Sequence, residues 1–200
     1  MKKLQTCKGT YGYLNQNKKR AWVKAFLMLL VPFLILIAGW AVNKTRLNPV
    51  TVAAVVLSLP GCNQVVHAII ASRYRSMDPV LYEETEAARG DCLALYESVL
   101  TSYEETFTVD CLVISGRDIA GYTSDPKTNG DRAGEHIKKM LRANSYKQNV
   151  KIFTEKKAFL ERVRGLAERT PEEVPFKEDD RYPGLGRDEI IQYLIMAISL

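Results

Sequence analysis

The sequence predicts an N-terminal transmembrane helical hairpin followed by a small α/β (α+β) cytoplasmic domain with a mixed sheet. Three observations predict it. Between Lys24 and Lys44 lie 19 residues without a formal charge, and between Arg46 and Arg73 lie 26 more. A helix rises about 1.5 Å per residue, so 19 residues cover about 29 Å, close to the ~30 Å hydrocarbon core of a bilayer. All 23 acidic residues lie at or after Asp78, and beyond that point strand-length and helix-period apolar patterns alternate as in a small core with a sheet.

The net charge of +5 is divided unevenly. Residues 1–24 carry seven basic groups and no acidic one, whereas from residue 73 onward 19 basic groups meet 23 acidic ones, a balance of −4. The basic character therefore belongs to the membrane-proximal arm and not to a face of the domain, and no nucleic-acid partner is expected. Nine basic residues flank the two spans on their outer ends, against Lys44 and Arg46 in the connecting loop. Positive residues stay on the cytoplasmic side, so a multi-pass protein of the plasma membrane with both termini cytoplasmic is predicted. Cys7, Cys62, Cys92 and Cys111 form no Cys-x-x-Cys pair and read as free thiols in a reducing compartment.

Residues 1–20 read as a basic cytoplasmic arm. It either places Tyr11 and Tyr13 at headgroup level with lysines on anionic lipid, or is a disordered tail that only fixes topology. A cleaved signal peptide is disfavoured by the long charged lead and by the second apolar segment. Residues 21–72 form the hairpin, with spans near 22–43 and 49–72. Pro32 kinks the first mildly, Trp40 anchors its outer end, and the loop Asn43–Pro49 is too short to hold a domain. The second span carries Asn63, Gln64 and His67 at membrane depth. Asn63 and His67, four apart, share a face. Polar groups there mark a proton- or ligand-responsive site, or bond to the first span or to a second copy and hold helices together.

The domain is placed at 77–169. Asp78 is the expected N-cap and Pro79 the first residue of a helix over Val80–Ala88, interrupted at Gly90. In residues 91–106 the spacing of Leu93, Tyr96 and Leu100 predicts a helix, followed by a strand near Leu100–Glu105. Val109–Ser115 and Ile119–Ser124 read as strands joined by a turn at Gly116-Arg117-Asp118. Asp131 is the expected cap of a helix to about Tyr146 that buries Ala133, Ile137, Met140 and Leu141. Val150–Phe153 is a short strand, and Thr154 the expected cap of a helix burying Phe159, Leu160, Val163 and Leu166. Residues 170–200 are a proline-rich acidic linker and a C-terminal helix over Arg187–Leu200. That helix is apolar nearly all round and packs on the domain, on another protein, or into the inner leaflet.

Motifs of catalysis are absent. The chain has no phosphate-cradling glycine loop, Gly-x-Ser-x-Gly elbow or His-Glu-x-x-His, so no catalytic residue, cofactor or metal is assigned. His136 is the only domain histidine and reads as a bystander at the edge of an apolar helix face; Cys111 reads as core. The best ligand-binding candidates are Tyr122, Thr123, Ser124, Asp125, Lys127 and Thr128, a loop of hydroxyls with a carboxylate and a lysine before a helix N-terminus, where anions are favoured.

The succession of a helix, three strands, a helix and a fourth strand is similar to the PD-(D/E)XK nuclease core. That resemblance implies a metal-holding Asp on the second strand, where Asp110 stands, and a Glu/Asp-x-Lys on the third, where this chain reads Gly121-Tyr122-Thr123-Ser124. It implies the scaffold without the activity. The segments KGTYGY, LTSYEETFTVDCLVISG, GYTSDPK and EHIKKML, with the hairpin, resemble a group of uncharacterised bacterial two-span membrane proteins. Some of these carry an O-linked N-acetylglucosamine transferase-like label. The resemblance implies the hairpin-plus-domain layout and carries over no catalytic residue; no helical repeat near 34 residues accompanies it. The sequence favours a membrane-anchored cytoplasmic interaction or sensory module over an enzyme. Its partners would be the lipid bilayer and a protein, or a homo-oligomer formed through the hairpin or the C-terminal helix. A degenerate nuclease scaffold and a small transport-accessory protein are the alternatives.

Overall fold

The computed structural model of the chain describes residues 8–43, 49–102, 105–169 and 181–199. They divide into two compact units, a helical one over Leu14–Arg75 and an α/β one formed by the segment before it together with Ser76–Leu200.

The helical unit consists of α1 (Tyr13–Asn43) and α2 (Pro49–Arg73). Their seam repeats every seven residues and is made of small side chains. Ala25, Pro32 and Gly39 are buried on α1, and Ala54, Gly61 and Ala68 on α2. A seven-residue repeat keeps one stripe of a helix facing its neighbour, and small residues there let backbones approach. Leu29 lies over Gly61 so closely that a Cβ at that position would stand 2.7 Å from its Cδ2. Trp22 Nε1 donates to Ser72 Oγ at 2.9 Å. The large apolar side chains, among them Phe26, Phe33, Val52 and Leu59, point outward. Both helices are long and apolar enough to cross a membrane, and only 11% and 17% of their most apolar windows are buried, unlike a helix in a soluble core.

One boundary differs from the sequence reading. α1 begins at Tyr13, nine residues before the expected span, because Lys18, Lys19 and Arg20 are good helix formers that continue the helix N-terminally. Of the described residues before it, Gly9 and Tyr11 pack within the α/β unit, as described below. The expected short loop at 44–48 and most of the proline-rich linker (170–180) lie outside the described residues.

In the α/β unit, α3 (Pro79–Arg89) starts where Asp78 caps it by accepting from Val80 N–H. Then follow β1 (Leu93–Thr101), β2 (Thr106–Ser115), β3 (Asp118–Tyr122), α4 (Gly130–Ala143), β4 (Asn149–Phe153), α5 (Lys156–Ala167) and α6 (Arg187–Ile198). The strands form one mixed sheet in the order β1-β2-β3-β4, antiparallel except for the parallel pair β3–β4. Ile137 and Leu141 of α4 and Ile190, Ile191 and Ile195 of α6 fill one face of the sheet. Leu81 of α3 and Phe159, Leu160 and Val163 of α5 fill the other. Residues 93–99 are thus strand rather than helix. The helical spacing of Leu93, Tyr96 and Leu100 misleads because β1 is covered on both faces, so every residue from Leu95 to Leu100 is buried and no single period marks it. The caps also shift. Asn129, not Asp131, caps α4, and Glu155 stands at the N-cap of α5 without a side-chain hydrogen bond.

β1 is an edge strand, and its outer edge is covered from both ends of the described chain. Tyr96 N–H donates to Gly9 O at 2.8 Å. Leu100 bridges to Ser199, Thr101 Oγ1 donates to Ile198 O at 3.2 Å, and Lys8 Nζ donates to Ser199 O. Such cover removes the unpaired backbone row that makes an edge adhesive. Gly9 has φ +84°, and a Cβ there would lie 2.6 Å from Leu95 Cδ2, so glycine is required for this approach.

Candidate functional site

Side-chain alternation in β1 and β2 changes phase at one point. Leu95 and Leu100, five apart, share the face of α4 and α6, and so do Val109 and Leu112, three apart, whereas Tyr96 and Cys111 belong to the opposite face. The register pairs Tyr96 with Cys111 and Ser98 with Val109, so the residues at the change, Glu97 and Asp110, stand opposite each other. Glu97 has φ +53°, a left-handed conformation that strains a residue with a Cβ and persists only where its surroundings enforce it.

What enforces it is a set of donors converging on the Glu97 carboxylate. Its side chain accepts from Gly12 N–H at 3.0 Å, from Met77 N–H at 3.3 Å and from Ser76 Oγ–H. Glu97 is only 4% exposed, and a buried carboxylate is tolerable when several hydrogen bonds satisfy it. Gly12 is the residue before α1, and Ser76 and Met77 follow α2 by three and four positions. One side chain in the sheet therefore fastens the chain on its way into the helical unit and on its way out. Around it, Tyr11 stacks on Tyr82 with centroids 4.2 Å apart, and Tyr82 meets Tyr96 edge-on. Tyr96 in turn donates to Glu86, which Arg89 also holds.

Asp110 faces the loop after β3. Its Oδ2 accepts from Ser124 N–H at 2.6 Å. Burial pushes its carboxyl above the usual carboxylate range, against the pull of the Ser124 bond, and the charges of Asp125 and Glu97 push the same way as burial. The six loop residues predicted as ligand contacts are brought together, and the side-chain oxygens of Thr123, Asp125 and Thr128 are engaged within the loop and with Thr108. Thr123 Oγ1 donates to Thr108 O at 2.7 Å, and Thr128 Oγ1 accepts from Thr108 N–H at 3.2 Å. Asp125 accepts from Thr108 Oγ1 and from Lys127 N–H, and this last bond holds its carboxyl below the usual range. The start of α4 is likewise occupied: Asn129 Oδ1 accepts from the N–H groups of Asp131 and Arg132. Tyr122 packs on Phe159. The cluster clasps the exit of β3 onto the start of β2.

The other candidates are dispersed. Asn63 and His67 lie on the exposed side of α2, with Gln64 at the margin of the seam. His136 borders a cleft of about 260 Å³ with Ser102, Glu105, Phe107, Arg132, Glu135 and Lys139, and its buried Nε2 has no hydrogen-bond partner among the described residues. Cys111 is fully buried, and burial raises its thiol pKa well above the ordinary value, which keeps it protonated and unreactive. Among the described residues no group of three or more His, Cys, Asp or Glu side chains is placed to hold a metal ion.

Glu97 was missed by sequence reasoning. Its one local signal is a carboxylate in the middle of the strand-like run LALYESVL; its partners lie 85, 21 and 20 residues away. No family model, curated protein or solved structure matches this chain.

Proposed function

We propose that the chain is a membrane-anchored cytoplasmic interaction or sensory module. In this reading α1 and α2 cross the plasma membrane as a hairpin and the α/β unit works in the cytoplasm, with both termini on that side. The outward-facing apolar side chains and the bias of basic residues to the hairpin's ends support the placement.

The observation that carries the sensory part is the attachment of both connections to the Glu97 carboxylate. A change in how the two helices lie or separate displaces Gly12 relative to Ser76 and Met77, and all three donate to one group at a strained point of β1. A strained point held by its donors relaxes when they move, so it would convert displacement of the connections into a change in the sheet. Hydrogen exchange of the full chain in lipid tests this. Glu97→Gln, which keeps the shape but weakens the charge-assisted bonds, should speed exchange in residues 93–101 and 106–113 together with residues 76–77. Exchange that rises only next to residue 97 would leave an anchor without a sensor. A reporter fused after Gly90 tests the placement; an external signal there would overturn it.

A second reading follows from the order of elements. α3, three strands, α4 and β4 run as in the PD-(D/E)XK comparison, with Asp110 on the second strand. The third strand and its exit offer Tyr122, Thr123 and Ser124 in place of a carboxylate and lysine, so this reading supplies a scaffold and not a nuclease. Metal-dependent cleavage of DNA by the full chain, abolished in Asp110→Ala, would reverse that order of preference.

A further inference from the structure

We propose that this chain pairs with a second copy of itself through the outer face of α2, with Asn63 and His67 of each copy meeting the same residues of the other. The proposal rests on the reading that α2 crosses a bilayer. The inner stripe of α2 is already filled, because Ala54, Gly61 and Ala68 are buried in the helical unit. Asn63 and His67 project from the other side. They are exposed, as are Val56 and Ile70 one heptad and one turn away on the same stripe, and no hydrogen bond reaches the Asn63 or His67 side chain among the described residues.

Depth makes this arrangement costly for a single copy. Counting inward from Arg73 at about 1.5 Å per residue puts His67 about 9 Å and Asn63 about 15 Å into the span. Asn63 is then near the middle of a ~30 Å core, beyond the reach of water and of lipid headgroups. Hydrocarbon offers an amide nothing to bond to, so an unpaired side chain there is held at a large penalty. A second copy removes the penalty at both positions. An amide carries donors and acceptors, and a neutral imidazole one of each, so each group is a complete partner for its own duplicate. Two copies inserted in the same direction are related by a two-fold axis along the bilayer normal. The axis sets α2 parallel to α2 and residue against like residue. Val56, Asn63 and Ile70 recur every seven residues, the repeat that keeps such a parallel contact in register.

Full-length protein carrying donor or acceptor fluorophores at its N-terminus, reconstituted in phosphatidylcholine vesicles over a range of protein-to-lipid ratios, tests the pairing. Energy transfer should fall on lipid dilution along a monomer–dimer curve, and bleaching of single particles should occur in two steps. Asn63→Leu with His67→Leu should weaken association by about tenfold or more, while Asn63→Gln, which keeps the amide, and Phe33→Leu, on the outer face of α1, should change it less than about threefold. The leucine variant remains an apolar helix, so it tests pairing and not insertion. Association unchanged in the double variant, a wild-type chain that is monomeric at every ratio, or bleaching in more than two steps would each overturn the pairing. An alkaline wash separates the two levels of the argument. Protein retained in the vesicles but monomeric refutes the pair alone, and protein released from them refutes the membrane reading along with it.

Discussion

The helical hairpin and the α/β unit bury opposite kinds of residue. Between α1 and α2 the inside is Ala25, Gly39, Ala54, Gly61 and Ala68, while Phe26, Phe33 and Leu59 face out. Around the sheet the inside is Leu112, Ile137, Phe159 and Ile191, and charged side chains such as Glu135, Lys151 and Glu161 face out. Both regions pack closely, and around the sheet the removal of apolar area from solvent is the main stabilising term. In the hairpin close approach of backbones replaces area as the criterion, so glycine and alanine take the positions that leucine and phenylalanine hold in the domain.

The same truncation made in both regions should give unequal results. Phe159→Ala, at a position with no exposure, should cost about 3–5 kcal/mol. Phe33→Ala, at a position 62% exposed, should cost less than about 1 kcal/mol. Denaturation of the full chain in detergent micelles, followed by tryptophan emission for the hairpin and far-ultraviolet dichroism for the sheet, measures both; equal losses would break the contrast.

Polar burial comes next in size. Glu97→Ala removes a buried acceptor from three donors and should cost about 2–4 kcal/mol. Glu97→Gly loses the same bonds but relieves the positive φ, so it should be about 1 kcal/mol less harmful. If alanine proves the milder change in denaturant titrations, the conformation at residue 97 is not strained.

Glycines sharpen the comparison. Gly61→Leu should force Leu29 and the seam apart at about 1–3 kcal/mol and shift Trp22 emission as its bond to Ser72 is lost. Gly165→Ala in α5, where a Cβ meets nothing within 4 Å, should instead stabilise the domain by about 0.5–1 kcal/mol. Thermal midpoints that move in the same direction for both would contradict the seam.

The smallest effect is one of sign. Burial raises the folded pKa of Asp110 above its unfolded value, so the folded state holds the proton more tightly. Stability is then present at low pH and declines as pH rises from the unfolded pKa through the folded one. Asp110→Asn stays neutral and still accepts from Ser124 N–H. Its midpoint relative to the natural chain should rise as the pH climbs above the ordinary aspartate pKa of about 4, and a difference that stays flat with pH would exclude a desolvated carboxylate.

Legibility from sequence followed locality. The hairpin was legible because two uncharged runs of 19 and 26 residues need only a count. β3, β4 and the helix faces of α4 and α5 were legible because each shows a single period or a short apolar run, and β2 because its apolar run Cys111–Ile114 outweighs the phase change at Asp110. β1 was not. Its phase change at Glu97 and its cover on both faces erase the alternation that marks a strand. The loop at Tyr122–Thr128 was legible as polar, but not its inward-turned hydroxyls, since Thr108, which receives them, lies 15 residues before Thr123. The C-terminal helix was legible as apolar, and the sheet face that receives Ile190, Ile191 and Ile195 settles where it packs.

The cover of the β1 edge also sets an order of events during synthesis. Residues 8–12 are made before β1 and are ready when it emerges. Ile198, which takes the bond from Thr101, is made 97 residues later. At about 5–20 residues per second, β1 waits roughly 5–20 s with one end of its outer edge open, and the sheet, whose last strand ends at Phe153, waits for the α6 side chains that close one face. A ribosome halted between residues 153 and 187 leaves the four strands made, with an open strand edge and without the α6 cover of one face. The exposed edge of such a chain is adhesive, and the strips at Gly9 and Ile198–Ser199 remove that adhesiveness once both are in place.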